Sequence, residues 1–118
     1  MDRDIMERLE ILLESGQITK QDVEKTVLAV DIVEKKFGIK VENEVGGMFV
    51  THLAKALTRI AAGEGIEETT AEVEAAVKGN QELVRESLSL FEKILGTRDI
   101  PEGEINFIAM YLNLLLKT

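Results

Sequence analysis

Apolar residues recur every three or four positions along almost the whole chain, and this helical period restricts the fold more than any other feature. The pattern breaks at glycines and at residues that cap helices. The one proline, Pro101, stands where a helix can begin. The sequence therefore predicts an all-α fold, a compact bundle of five to six helices.

The breaks divide the chain into six predicted helices, over about residues 2–14, 19–37, 43–62, 70–77, 81–95 and 101–118. The last of these is apolar on nearly all sides, because nine of the twelve residues from Ile105 to Leu116 are apolar. Such a helix lies either at the centre of a bundle or against a second subunit. We expect a homodimer.

Length and charge exclude several classes of protein. The 118 residues fit a single domain, which we place over residues 1–118. Fourteen basic against twenty-two acidic residues give a net charge of −8, which disfavours direct contact with nucleic acid or an anionic membrane. The N-terminus lacks the pattern of a signal peptide and no apolar run is long enough to span a bilayer, so we expect a cytoplasmic protein.

The chain has no cysteine and one histidine, His52. These counts exclude disulfides, thiolate nucleophiles and cysteine-based metal sites. No set of residues forms a recognisable catalytic constellation, so the sequence predicts neither an enzyme nor a bound cofactor or metal ion.

Two further features have simple structural explanations. The acidic pairs Glu67/Glu68 and Glu102/Glu104 lack the ligand pattern of a calcium loop, and we interpret them as solvated surface. The Gly46-Gly47 pair lacks the strand, lysine and hydroxyl residue of a phosphate-binding loop, and we interpret it as a tight helix entry.

His52 lies in the apolar stripe of the third predicted helix, and its residue type alone leaves two roles open. One is a core histidine that hydrogen-bonds a neighbour. The other is a nucleophile, because a neutral imidazole nitrogen can accept a phosphoryl group from a phosphorylated donor at cellular pH. Spacing does not decide between them.

Two segments resemble a known family. Residues 52–59, HLAKALTR, place Arg59 seven residues after His52 and are followed by Gly63. Residues 100–111, IPEGEINFIAMY, contain a proline, a Glu-Ile step, Phe-Ile-Ala and a closing Tyr111. Together and in this order they resemble the PTS regulation domain (PRD), the helical regulatory module of the bacterial phosphoenolpyruvate-dependent sugar phosphotransferase system (PTS).

The resemblance implies roles for three residues. His52 would be the phosphorylation site, with Arg59 helping to orient the phosphoryl group. Tyr111 would be a degenerate second site, because the family's second motif normally closes with a histidine. The family also implies a phosphoryl donor, either the phosphocarrier protein or a sugar-specific transporter subunit.

The chain thus resembles a single regulatory module standing alone. In the family such modules regulate transcription, attached to an antiterminator or activator domain that binds nucleic acid. The length and acidic charge of this chain lead us to expect no such domain, so we expect any effect on transcription to pass through a partner or to have been lost. The alternative is a helical structural or protein-interaction module that is not phosphorylated, with His52 and Tyr111 as packing residues.

Overall fold

The computed structural model describes residues 1–117, which form six helices: α1 (Arg3–Glu14), α2 (Lys20–Phe37), α3 (Asn43–Ala61), α4 (Ala71–Val77), α5 (Gln81–Leu95) and α6 (Glu102–Leu116). This part of the chain contains no strand. The all-α prediction is confirmed, and the predicted helices closely match the observed ones. Only the predicted continuation of the last helix to Thr118 lies outside the described residues.

Local capping interactions explain why the bounds are predictable. Thr19 and Asp22 form a reciprocal capping box before α2, in which each side chain accepts a hydrogen bond from the other residue's backbone N–H, at 3.2 and 2.9 Å. Gly38 and Gly96 end α2 and α5 with left-handed φ angles of 65° and 75°. A side chain would be strained in this conformation, so glycine is the favoured helix stop.

Helices α3 and α6 pack against each other at the centre of the molecule. Helix α3 also contacts α1 and α2, and α6 also contacts α4 and α5. The largest fully buried apolar side chains come from four helices: Ile5, Leu9, Phe49, Leu53, Leu57, Phe91, Ile108 and Leu112. The α3–α6 contact therefore joins the two halves of one continuous core.

Most of the apolar surface of α6 is covered within the chain itself. Ile108, Ala109 and Leu112 are almost completely buried, whereas Leu114 and Leu116 each remain 37% exposed. The central position of α6 thus explains its composition without a second subunit, except at its last turn.

In the described part of the chain, no helix combines the length and apolarity needed to cross a membrane.

The two adjacent glycines lie inside α3 and are both buried. A β-carbon on Gly46 would lie 3.0 Å from the carbonyl carbon of Val41, and one on Gly47 would lie 2.8 Å from the guanidinium carbon of Arg8. Gly46 therefore allows close packing of α3 against the backbone of Val41, whereas Gly47 faces the flexible end of Arg8. The interpretation of this pair as a tight helix entry is wrong, since the helix begins earlier, at Asn43.

Candidate functional site

Three nearly parallel rings meet where α3 faces α6, and we call them the aromatic stack: His52, Phe107 and Tyr111. The centroid of the His52 ring lies 4.7 Å from that of Tyr111 and 5.4 Å from that of Phe107, with interplanar angles of 20° and 25°. Phe107 and Tyr111 are one turn apart on α6, with centroids 5.8 Å apart. The fold therefore brings the histidine of the first motif against the closing residue of the second.

His52 is half-buried, and its contacts differ from those of a hydrogen-bonded core histidine. Among residues 1–117, neither of its ring nitrogens forms a hydrogen bond with another protein group. Its contacts to Phe107 and Tyr111 are through the faces of the rings. No hydrogen bond to another protein group therefore occupies the lone pair of the imidazole or hinders its attack on an electrophile.

The surroundings of His52 keep its imidazole neutral. Burial lowers the pKa of His52 from its ordinary value of 6.5, and the positive charges of Lys55 and Arg59 lower it further. A neutral imidazole has a lone pair on one nitrogen at neutral pH, which is the form required of a nucleophile.

Arg59, the residue expected to orient a phosphoryl group, is bound to a carboxylate. Its Nε donates to Glu104 Oε2 at 2.8 Å and a terminal nitrogen donates to Oε1 at 2.9 Å. The hydrogen bond to Glu104 raises the pKa of the Arg59 guanidinium, although burial acts in the opposite direction. The interaction is bidentate, the geometry that suits guanidinium and carboxylate best.

The interpretation of Glu102 and Glu104 as a solvated pair is wrong for Glu104. Glu102 is exposed, but the Glu104 side chain is only 1% exposed. Burial of a carboxylate requires compensating partners, and Arg59 together with the backbone N–H of Ile66, at 3.0 Å, provides them. The sequence contained one signal for this: Glu104 is the last charged residue before twelve uncharged positions of α6.

The segment 66–69 is held against the first turns of α6 by further hydrogen bonds. The N–H groups of Gly103 and Glu104 donate to the carbonyls of Glu67 and Ile66, both at 3.2 Å. The Asn106 side chain donates to the Thr69 hydroxyl at 2.8 Å. These bonds and the buried ion pair tie the end of α3 to the start of α6.

Gly103 is required for this close approach. A β-carbon there would lie 2.5 Å from the carbonyl oxygen of Ile66 and 2.6 Å from that of Glu68. Both distances are to backbone atoms, which cannot move aside as a flexible side chain can. The Gly-Glu step of the second motif therefore serves the contact between segment 66–69 and α6.

Tyr111 lies in the aromatic stack and is 7% exposed. Burial raises the pKa of its phenol above the ordinary value of 10.0. Its hydroxyl is therefore protonated at neutral pH and is a weak nucleophile.

The described residues contain no group of three or more His, Cys, Asp or Glu side chains that could hold a metal ion.

The sequence motifs identify His52, Arg59 and Tyr111 as site residues, but they do not identify Lys55, Phe107 and Glu104 as neighbours of the site. Helical spacing was the available signal for the first two. Lys55 follows His52 by three residues, and Phe107 precedes Tyr111 by four.

Fold and site together define a helical module with a single neutral histidine at the contact between its two central helices. Residues 28–114, well over half of the chain, match the PRD domain family. The chain belongs to that family, as the two motifs indicated. PRD domains form a regulatory family that is typically non-enzymatic.

One similar protein is an uncharacterized protein of Escherichia coli (strain K12), YhfY. It is 38% identical to this chain over 60 residues, which are 51% of this chain and 50% of YhfY. The chain thus matches about half the length of this curated relative. No solved structure matches the chain significantly.

Proposed function

We propose that this PRD domain is a phospho-acceptor regulatory module of the sugar phosphotransferase system, and that His52 is the acceptor. The observation that supports this best is the state of His52. It occupies the histidine position of the family motif, stays neutral at neutral pH, and has no hydrogen-bonding partner among the described residues.

In the proposed reaction, the lone-pair nitrogen of His52 attacks the phosphorus of a phosphorylated donor protein. A nitrogen–phosphorus bond forms, the bond between phosphorus and the donor breaks, and the other ring nitrogen of His52 keeps its proton. The donor is the phosphocarrier protein or a sugar-specific transporter subunit. Both are cytoplasmic partners in this proposal, and neither nucleic acid nor membrane is contacted directly.

Phosphorylation would change the contact between α3 and α6. A phosphoryl group adds up to about two negative charges next to the apolar rings of Phe107 and Tyr111. Such a charge is poorly solvated against ring faces, so the altered state favours a different packing of the two helices. A partner protein that regulates transcription would respond to this change.

We also propose that residues 1–118 act as one domain and that the protein is a homodimer. The exposed leucines at the last turn of α6, Leu114 and Leu116, support an interface there. In a two-fold dimer, phosphorylation would alter two equivalent sites at once. Sedimentation at micromolar concentration tests this, and a monomer mass would refute it.

The second candidate is an interaction module that is not phosphorylated. Tyr111 favours it, because the tyrosine occupies the place of the family's second histidine and packs against His52. In this case the aromatic stack would be part of the packing alone.

Incubation with phosphoenolpyruvate and the general phosphotransferase proteins tests the proposal. We expect an acid-labile, base-stable phosphoprotein, no label in His52→Ala, and retained label in the control Tyr111→Phe. Full labelling of His52→Ala would refute the assignment. No label in any of these proteins, with a transporter subunit also supplied, would favour the interaction module.

A further inference from the structure

The ion pair with Glu104 limits what Arg59 can do for a phosphoryl group on His52. Two of its nitrogens already donate to the two oxygens of Glu104. Turning Arg59 towards a phosphoryl group would leave Glu104, which is almost completely buried, without its countercharge. That cost disfavours the movement.

Lys55 is a second cation near His52, and it is free of such a bond. It follows His52 by three residues on α3, a spacing that places two side chains side by side on one face of a helix. It is half-buried, and among residues 1–117 it forms no salt bridge. Its charge also acts on His52 more strongly than that of Arg59.

We propose that Lys55, rather than Arg59, binds the phosphoryl oxygens on phosphorylated His52. Its ammonium group has three rotatable donors on a flexible stem, which can follow a group that forms one turn away. Arg59 then has a structural role, as the countercharge of Glu104. This inference rests on the proposed function of His52 as a phosphoryl acceptor.

Phosphoramidate, a small anionic phosphoryl donor, tests the inference without any partner protein. The lone-pair nitrogen of His52 forms a bond to phosphorus, the phosphorus–nitrogen bond of the reagent breaks, and ammonia leaves. We expect Lys55→Gln to lower the rate of this reaction about fivefold at low ionic strength, the effect of losing one partly exposed charge interaction. The difference should shrink at high salt, which screens charges.

Lys25→Gln is the matched control, because Lys25 is another half-buried helical lysine without a salt bridge in the described part of the chain. It should react like the wild type, and Lys55→Arg should retain most of the rate. An NMR titration gives an independent readout: the pKa of His52 should rise in Lys55→Gln and stay unchanged in Lys25→Gln.

The possible failures are distinguishable. If Lys55→Gln reacts at the wild-type rate while His52→Ala does not react, Lys55 has no role and His52 is still the acceptor. If the wild type reacts with phosphoramidate but is not labelled by the phosphotransferase proteins, the proposed function fails. The role of Lys55 is then decided by comparing the phosphoramidate reaction rates of Lys55→Gln and the wild type. A wild type that does not react with phosphoramidate overturns the inference.

Discussion

The two partners of the buried ion pair differ in their access to water, and their replacement should therefore have unequal effects on stability. The Glu104 side chain is 1% exposed, whereas that of Arg59 is 32% exposed. In Arg59→Met, the carboxylate of Glu104 stays buried without a countercharge. In Glu104→Gln, the guanidinium of Arg59 can turn to water and keep most of its hydration.

The magnitudes follow from this asymmetry. Removing one partner of a buried pair costs about 3–5 kcal/mol, and Arg59→Met should fall in that range. Glu104→Gln keeps one acceptor oxygen for Ile66 or Arg59 and replaces the other with an NH2 group, but it leaves no buried charge without a partner, so we expect about 1–2 kcal/mol. Total stabilities of single domains are about 5–15 kcal/mol, so Arg59→Met removes a large share.

Urea denaturation followed by circular dichroism measures these differences, and the double variant Arg59→Met/Glu104→Met is the control. It replaces the ion pair with apolar groups and should be more stable than Arg59→Met alone. Equal costs for the two single variants, or no recovery in the double variant, would refute the argument from burial.

Three further predictions concern stability. Gly103→Ala should destabilise by about 2 kcal/mol or more in thermal unfolding, because its β-carbon meets backbone oxygens. Gly47→Ala should be tolerated, because the atoms nearest to its β-carbon belong to the flexible end of Arg8, and equal effects of the two variants would contradict this. Thr26→Val should stabilise by about 1 kcal/mol in urea, because the buried Thr26 hydroxyl has no hydrogen-bond partner among the described residues, and a destabilised variant would contradict it. The lowered pKa of His52 means that the unfolded chain binds its proton more readily than the folded one. The wild type should therefore lose stability relative to His52→Gln as the pH falls from about 7 through 6.5 towards the folded-state pKa, and parallel melting curves against pH would count against this.

The helices were predictable because their signals are local. The capping box of Thr19 and Asp22 spans four residues, and Gly38 directly follows the helix α2 that it ends. The ion pair was not predictable in this way, since 45 positions separate Arg59 from Glu104 and nothing in the sequence pairs them.

The geometry of the candidate site was also not predictable from local sequence signals. The motifs identified His52 and Tyr111 separately, but their stacking depends on how α3 lies across α6, and that angle depends on the whole core. The buried position of Glu104 depends likewise on segment 66–69, which has no helical period. The stacking of His52 on Tyr111 and the burial of Glu104 therefore depend on tertiary contacts, which the sequence pattern does not reveal.

The aromatic stack also places the fluorescent side chain of the protein directly beside His52. The chain has one tyrosine and no tryptophan, so its intrinsic fluorescence comes from Tyr111. The emitting ring lies 4.7 Å from the imidazole of His52. Protonation or phosphorylation of that imidazole changes the charge directly beside the fluorophore, and we expect the emission intensity to change with it. We therefore expect the state of His52 to be observable in real time in unlabelled protein, because the chain has no tryptophan whose stronger emission would mask that of Tyr111.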